Sequence, residues 1–130
     1  MPKKIYPYQF DIKGDPYPLV PFSVLSDKKE RRDYFALIDS GAIISFFRED
    51  IAERLGIEIE KGEEITLKGI GGWIKGYKHE LHLEVSKKIF SCPVVFSREY
   101  FISLNILGRN SFFEKFKITF DEAQKRVILT

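Results

Sequence analysis

From residue 78 to residue 85, polar and apolar side chains alternate without a break. His79, Leu81, Leu83 and Val85 fall on one side of the pattern, and Lys78, Glu80, His82 and Glu84 on the other. A period of two marks a strand with one buried face. The longer stretch 63–85, EEITLKGIGGWIKGYKHELHLEV, reads as two strands around a glycine-rich tip at 69–72. The runs YPLVPFSVL (17–25) and YFALID (34–39) flank a charged turn and read as a second hairpin. KIFSCPVVF (88–96) is a further strand, and KITFDEAQKRVILT (117–130) a closing hairpin. Breakers cluster at 13–18, 26–33, 55–64 and 69–72.

Two segments carry helical spacing instead. In SFFREDIAERLG (45–56), Phe47, Ile51 and Leu55 share a face, Glu49 and Asp50 suit the first turn, and Gly56 is the stop. Ser45 or a neighbour is the expected cap. RNSFFEKF (109–116) is a shorter candidate. Many short strands with two short helices predict an all-β fold, a small closed β-barrel, as one domain over residues 1–130.

Composition narrows the picture by exclusion. A net charge of +2 over 130 residues is too small to argue for nucleic acid. The one cysteine, Cys92, cannot form an intrachain disulfide, which fits a reducing, cytoplasmic setting, and beside Pro93 it reads as a core thiol. No Cys/His cluster suggests zinc, and His79 and His82 fall on opposite strand faces, so no metal is expected. No run is long enough to span a membrane, so no membrane partner is expected, and the N-terminus does not read as a signal peptide.

The chemistry concentrates in ALIDSGAIISFF (36–47), where an apolar strand runs into Asp39, Ser40 and Gly41. Asp-Ser-Gly is ordinary turn chemistry. A carboxylate closing a buried strand is costly, however, unless something compensates it. A second carboxylate sharing a proton is one such compensation, and the pair then serves as base and acid together. The aspartic-protease dyad is the familiar instance.

Three motifs in order resemble the retroviral-type (retropepsin-like) aspartic proteases. ALIDSGA (36–42) resembles their catalytic Asp-Thr/Ser-Gly-Ala. KGIGGWIKGY (68–77) resembles the flap, a glycine-tipped hairpin that folds over substrate. LNILGRNSFFEKF (104–116) resembles the apolar-apolar-Gly-Arg-Asn segment leading into the family's helix. The resemblance spans roughly Tyr17 to Phe120. It implies catalytic roles for Asp39, Ser40 and Gly41, with the Ser40 hydroxyl locking the two catalytic loops together. It implies substrate contacts from Ala42, Ile43, Ile44, Gly69, Ile70, Gly71, Leu104 and Ile106, and no cofactor. Asp39 is the one Asp followed by Ser/Thr-Gly, so a dyad requires a homodimer with the site on its twofold axis. The implied partner is an extended peptide or protein substrate.

The chain also departs from that pattern. Ile43 and Ile44 stand where the retroviral enzymes commonly carry two acids, so Arg109 has lost its usual partner. The added DEAQKRVILT implies a dimer sheet built differently, as in cellular and microbial relatives. Trp73 reads equally as a substrate anchor or as a surface aromatic on its own hairpin, and KKERR (28–32) as a solvated turn. Two other readings stay open. One is a non-catalytic module of the same fold that binds peptides or dimerises. The other, less favoured, is a β-barrel binding single-stranded nucleic acid through Tyr6, Tyr8, Phe10, Trp73 and Tyr77.

Overall fold

A computed structural model describes residues 3–26, 31–69, 71–101 and 103–130. The chain is mostly β. Its strands are β1 (Lys4–Pro7), β2 (Gln9–Phe10), β3 (Pro16–Tyr17), β4 (Leu19–Leu25), β5 (Arg31–Ile38), β6 (Ser45–Phe46), β7 (Glu63–Gly69), β8 (Gly72–Val85), β9 (Lys88–Phe96), β10 (Asn105–Leu107), β11 (Ile118–Asp121) and β12 (Arg126–Leu129). Helix α1 (Glu49–Leu55) is followed by a 3₁₀ turn at Ile59–Lys61, and a further, irregular helical segment lies at Arg109–Phe113. Among the described residues no helix is long and apolar enough to cross a membrane.

The main sheet runs β4-β5-β10-β6-β9-β8-β7, and β4 pairs with β8 as well. The pairings of β4, β5, β10, β6, β9 and β8 therefore return to β4. The β4–β5 and β7–β8 hairpins form where the alternation places them. The charged turn is shorter than expected, because β5 begins at Arg31 and takes in two residues of KKERR; residues 28–30 lie outside the described part. In β8 the pattern holds, with Leu83 and Val85 fully buried and Glu80 and His82 exposed. Near its end β9 is buried on both faces at Val94, Val95 and Phe96. Val95 is covered because β8 crosses it at Gly76, where a Cβ would stand 2.5 Å from Val95 Cγ1.

Phe22, Phe47 and Phe96 pack at the centre, with ring centroids 4.7 and 6.4 Å apart along that series. A second aromatic group, Phe90, Phe112, Phe113 and Phe116, joins β9 to the segment after β10. The terminal segments build their own antiparallel sheet, β1-β12-β11, within one chain. The closing hairpin predicted at 117–130 is its β11–β12 pair.

The two helices need correction. Helix α1 starts at Glu49, not at Ser45, and its N-cap is Arg48 with no side-chain cap bond. Ser45 is instead a fully buried strand residue of β6. The other features of that helix stand: Glu49 and Asp50 in the first turn, Ile51 buried, and Gly56 closing it at φ 70°. The second segment, 109–116, is only partly helical. Asn110 is extended, and Ser111 takes φ 71°, ψ −56°. That is the rare γ-turn geometry, strained for any residue with a Cβ.

Candidate active site

Asp39 directly follows β5, at the end of a strand whose Ala36 and Ile38 are buried. Strand β10 explains why it stops there. β10 lies between β5 and β6, parallel to the first and antiparallel to the second. Its continuation grips the loop that joins them. The Asp39 amide donates to Leu107 O at 3.1 Å, Arg109 N to Ala42 O at 2.8 Å, and Asn110 N to Ile43 O at 2.7 Å. Gly108 N donates to the buried Ser45 Oγ at 3.0 Å. Such close backbone contact requires glycine: a Cβ on Gly108 would lie 2.6 Å from Ile44 O and 2.8 Å from Ala42 O.

Within the loop, Asp39 Oδ1 accepts the Gly41 amide at 2.8 Å, and Ala42 N donates to Asp39 O at 3.2 Å. One carboxylate oxygen thus fixes its own turn. The Ser40 side chain is exposed and makes no hydrogen bond among the described residues. Asp39 is half-buried in the single chain, Ala42 and Ile44 likewise, while Ile43 is 70% exposed.

Ile106 lies in β10 beside the end of β5, whereas Leu104 lies just before that strand and lines a hollow with Phe35, Arg48 and Ile51. Ile106 pairs with Leu37 on one side and Phe46 on the other. Leu104 O accepts the Tyr100 hydroxyl at 2.8 Å, and the Tyr100 ring lies 5.3 Å from that of Phe46. Burial, with the negative charge of Asp39 adding to it, pushes the Tyr100 phenol up to about 12. Tyr100 therefore lies within electrostatic reach of the acid. Nothing in its sequence context, SREYFIS, signals this.

Asn105 was also missed. Its Oδ1 accepts Arg48 N at 2.8 Å, and its Nδ2 donates to Phe35 O at 3.0 Å, so it ties β5 to the start of α1. The readable signal was one amide inside the apolar run LNIL, since a buried polar group must find partners.

No protein-family model and no curated protein matches this chain.

The glycine-rich hairpin forms as expected, with Gly69 facing Gly72 across β7 and β8. Gly71 is exposed with open space around it, and Gly72 takes φ 112°. Ile70 lies outside the described residues. One face of the hairpin carries half-buried Ile65, Leu67 and Ile74, the other Glu64, Lys68, Trp73 and Lys75. No hydrogen bond or ring contact among the described residues joins this hairpin to the Asp39 loop. Trp73 is 67% exposed with Lys68 Nζ 6.0 Å from its ring centroid, which fits a surface aromatic on its own hairpin. The base of the hairpin is clamped by Ser97 Oγ donating to Lys75 O at 2.5 Å.

The other candidates resolve into structure. His79 Nε2 is 2.9 Å from Ile59 O, and exposed His82 points the other way, as the strand period required. Among the described residues no group of three or more His, Cys, Asp or Glu is placed to hold a metal. Cys92 is fully buried. Of the aromatics proposed for stacking on nucleic acid, Tyr8 is 6% exposed and unavailable to a base.

Proposed function

We propose that this chain is a retropepsin-like aspartic endopeptidase, working as a homodimer in which Asp39 of two copies forms one dyad. One observation carries the reading. β10 is threaded between β5 and β6, so that Leu107, Arg109 and Asn110 hold the Asp39–Ile43 loop by backbone bonds. A simple turn needs no such anchorage. A catalytic carboxylate does, because small displacements of a reacting group are costly in rate. The return of the strand pairings to β4 supports a closed barrel around this loop. The half-exposed acid and the exposed Ile43 beside it leave a face for a second copy.

On this reading an extended peptide lies as a strand over the loop and under the glycine-tipped hairpin. Leu104, Ile106, Ala42, Ile43 and Ile44 line its side-chain pockets. One carboxylate of the pair takes a proton from water as that water attacks the amide carbonyl; the other, protonated, polarises the carbonyl and then supplies the proton to the leaving amine. Two carboxylates sharing one proton give a rate that is bell-shaped in pH. With Ile43 and Ile44 in the cleft, apolar side chains are favoured beside the cut, because a charged one would lose water without gaining an acceptor. The terminal strands pair within the chain, so a dimer contact built by exchanging them is not part of the reading.

Asp39→Asn tests it. Wild type should cleave members of a mixed peptide library in a bell-shaped pH profile, with specific activity falling on dilution. The variant, with matched circular dichroism, should cleave none. Equal cleavage by both removes Asp39 from the mechanism. Peptide binding without cleavage by wild type leaves the non-catalytic module instead.

A further inference from the structure

Beside the Asp39 loop lies a shallow hollow of about 520 Å3, lined by Ile43, Arg109, Asn110, Phe113 and Glu114. Its backbone is held firmly. Arg109 N and Asn110 N are bonded to the loop, and Ser111, in its strained conformation, donates its hydroxyl to Ser91 O at 2.6 Å. Ile43 at 70% exposure and half-buried Phe113 give the hollow an apolar part.

Its charges are distinctive. Arg48, Arg54, Arg98 and Arg126 each pair with a carboxylate. Arg109 is exposed and has no ion pair among the described residues. Glu114 has none either; its recorded contact is a long 3.5 Å approach from Ser111 N. The hollow thus offers one cation and one anion, both without an ion pair among the described residues, together with an apolar pair. An acidic peptide laid there would satisfy Arg109 and face Glu114 as a like charge, and a basic peptide would do the reverse. A twofold copy satisfies both at once, because in an isologous contact residue i meets j and j meets i.

We propose that a second copy of this chain docks on this face, with Arg109 of each chain paired to Glu114 of the partner subunit beside the cleft that Ile43 lines. The proposal rests on the homodimeric reading above and gives it a contact surface. It also gives Arg109, which lost the partner expected from the resemblance, an acid to meet.

The test is sedimentation equilibrium at low salt on the wild type, Arg109→Glu, Glu114→Arg and the double exchange, with matched circular dichroism for all four. Each single reversal sets two like-charge pairs facing each other per dimer and should raise the dimer Kd by about tenfold or more. The double exchange should restore it to within about threefold of wild type. Singles that leave Kd unchanged, or a double as weak as the weaker single, overturn the proposal. So does an unchanged Kd with a raised KM for acidic peptides alone in Arg109→Glu, which would make the hollow a substrate subsite. A dimer that cleaves peptides yet ignores the exchange sinks only this contact. A wild type that stays monomeric at every concentration sinks both this contact and the homodimeric reading.

Discussion

Gly108→Ala is the sharpest single perturbation of the candidate site. The backbone of Gly108, at φ −98° and ψ −173°, is open to any residue, so the substitution carries no conformational penalty of its own. Its effect is purely steric. The new Cβ would meet Ile44 O at 2.6 Å, Ile44 C at 2.7 Å and Ala42 O at 2.8 Å, all of them backbone atoms. Relief to an ordinary contact requires a shift of roughly 0.7 Å or more in the segment from Ala42 to Ile44. That segment accepts the Arg109 and Asn110 amides, so the shift loosens those bonds too. Overpacking of this kind costs about 1–3 kcal/mol, and weakening one buried hydrogen bond adds about 1 kcal/mol. Melting should therefore fall by roughly 5–15 °C in a chain of this size. Any peptidase activity should fall by about a hundredfold, since the acid is moved with its loop. Differential scanning calorimetry and a peptide-cleavage assay on the same preparation read both. A variant with the melting temperature and turnover of wild type would refute the close approach of β10 to the loop.

Three further outcomes follow from the geometry. Arg98 binds both Glu60 and Glu49, and its hydrogen bonds hold Glu60 below the usual carboxylate range. A depressed folded value means that the stabilisation is present above the unfolded value of 4.5 and is lost as pH falls through the folded one. Melting temperature should thus drop more steeply below that pH in wild type than in Arg98→Gln, and parallel curves would remove the cluster from acid stability. Burial pushes the Cys92 thiol up to about 11, so a disulfide reagent at pH 8 should label the native chain only as fast as it opens; rapid labelling without denaturant would contradict its burial. Gly71→Val meets open space and should leave melting within about 0.5 kcal/mol of wild type while slowing turnover several-fold, whereas Gly72→Ala, at φ 112°, should cost about 1–2 kcal/mol; unchanged kinetics in the first would make the tip an ordinary turn.

What the sequence disclosed depends on the range of the interactions involved. The alternation in β8, the hairpins either side of it and the Gly56 stop of α1 are set by neighbours a few residues apart, and they read correctly. Ser45 misled because a hydroxyl before an acidic turn is the ordinary signature of a cap. Here that hydroxyl is claimed by Gly108, 63 residues away, which no local pattern carries. The partial helix at 109–116 failed for a related reason: the carbonyls of Ala42 and Ile43 claim the Arg109 and Asn110 amides, and Asn110 is extended. In the candidate site, Asp39 and its glycine stood out as composition at a strand end, and Ile106, which the ordered motifs singled out, lies in β10 opposite Leu37. Tyr100 was silent because its partner, Leu104 O, is a backbone atom and carries no side-chain signature; Asn105 showed only as an amide in an apolar run, and its partners, Arg48 N and Phe35 O, could not be read from it.

The threading of β10 also fixes an order of events. Asn105 joins Phe35 across 70 residues of sequence, and β10 pairs with β5 in parallel, a contact that cannot form by simple zipping from a turn. The hairpins β4–β5 and β8–β9 close locally, and the gap between β5 and β6 is filled only after residues 105–110 exist and have found it. Until then the carboxylate of Asp39 sits on an unbraced loop. A chain still being synthesised, or one cut before residue 105, keeps nearly every strand of the sheet and lacks the one that makes the acid rigid. The loop that carries Asp39 thus owes its bracing to a strand that is made about 65 residues after it.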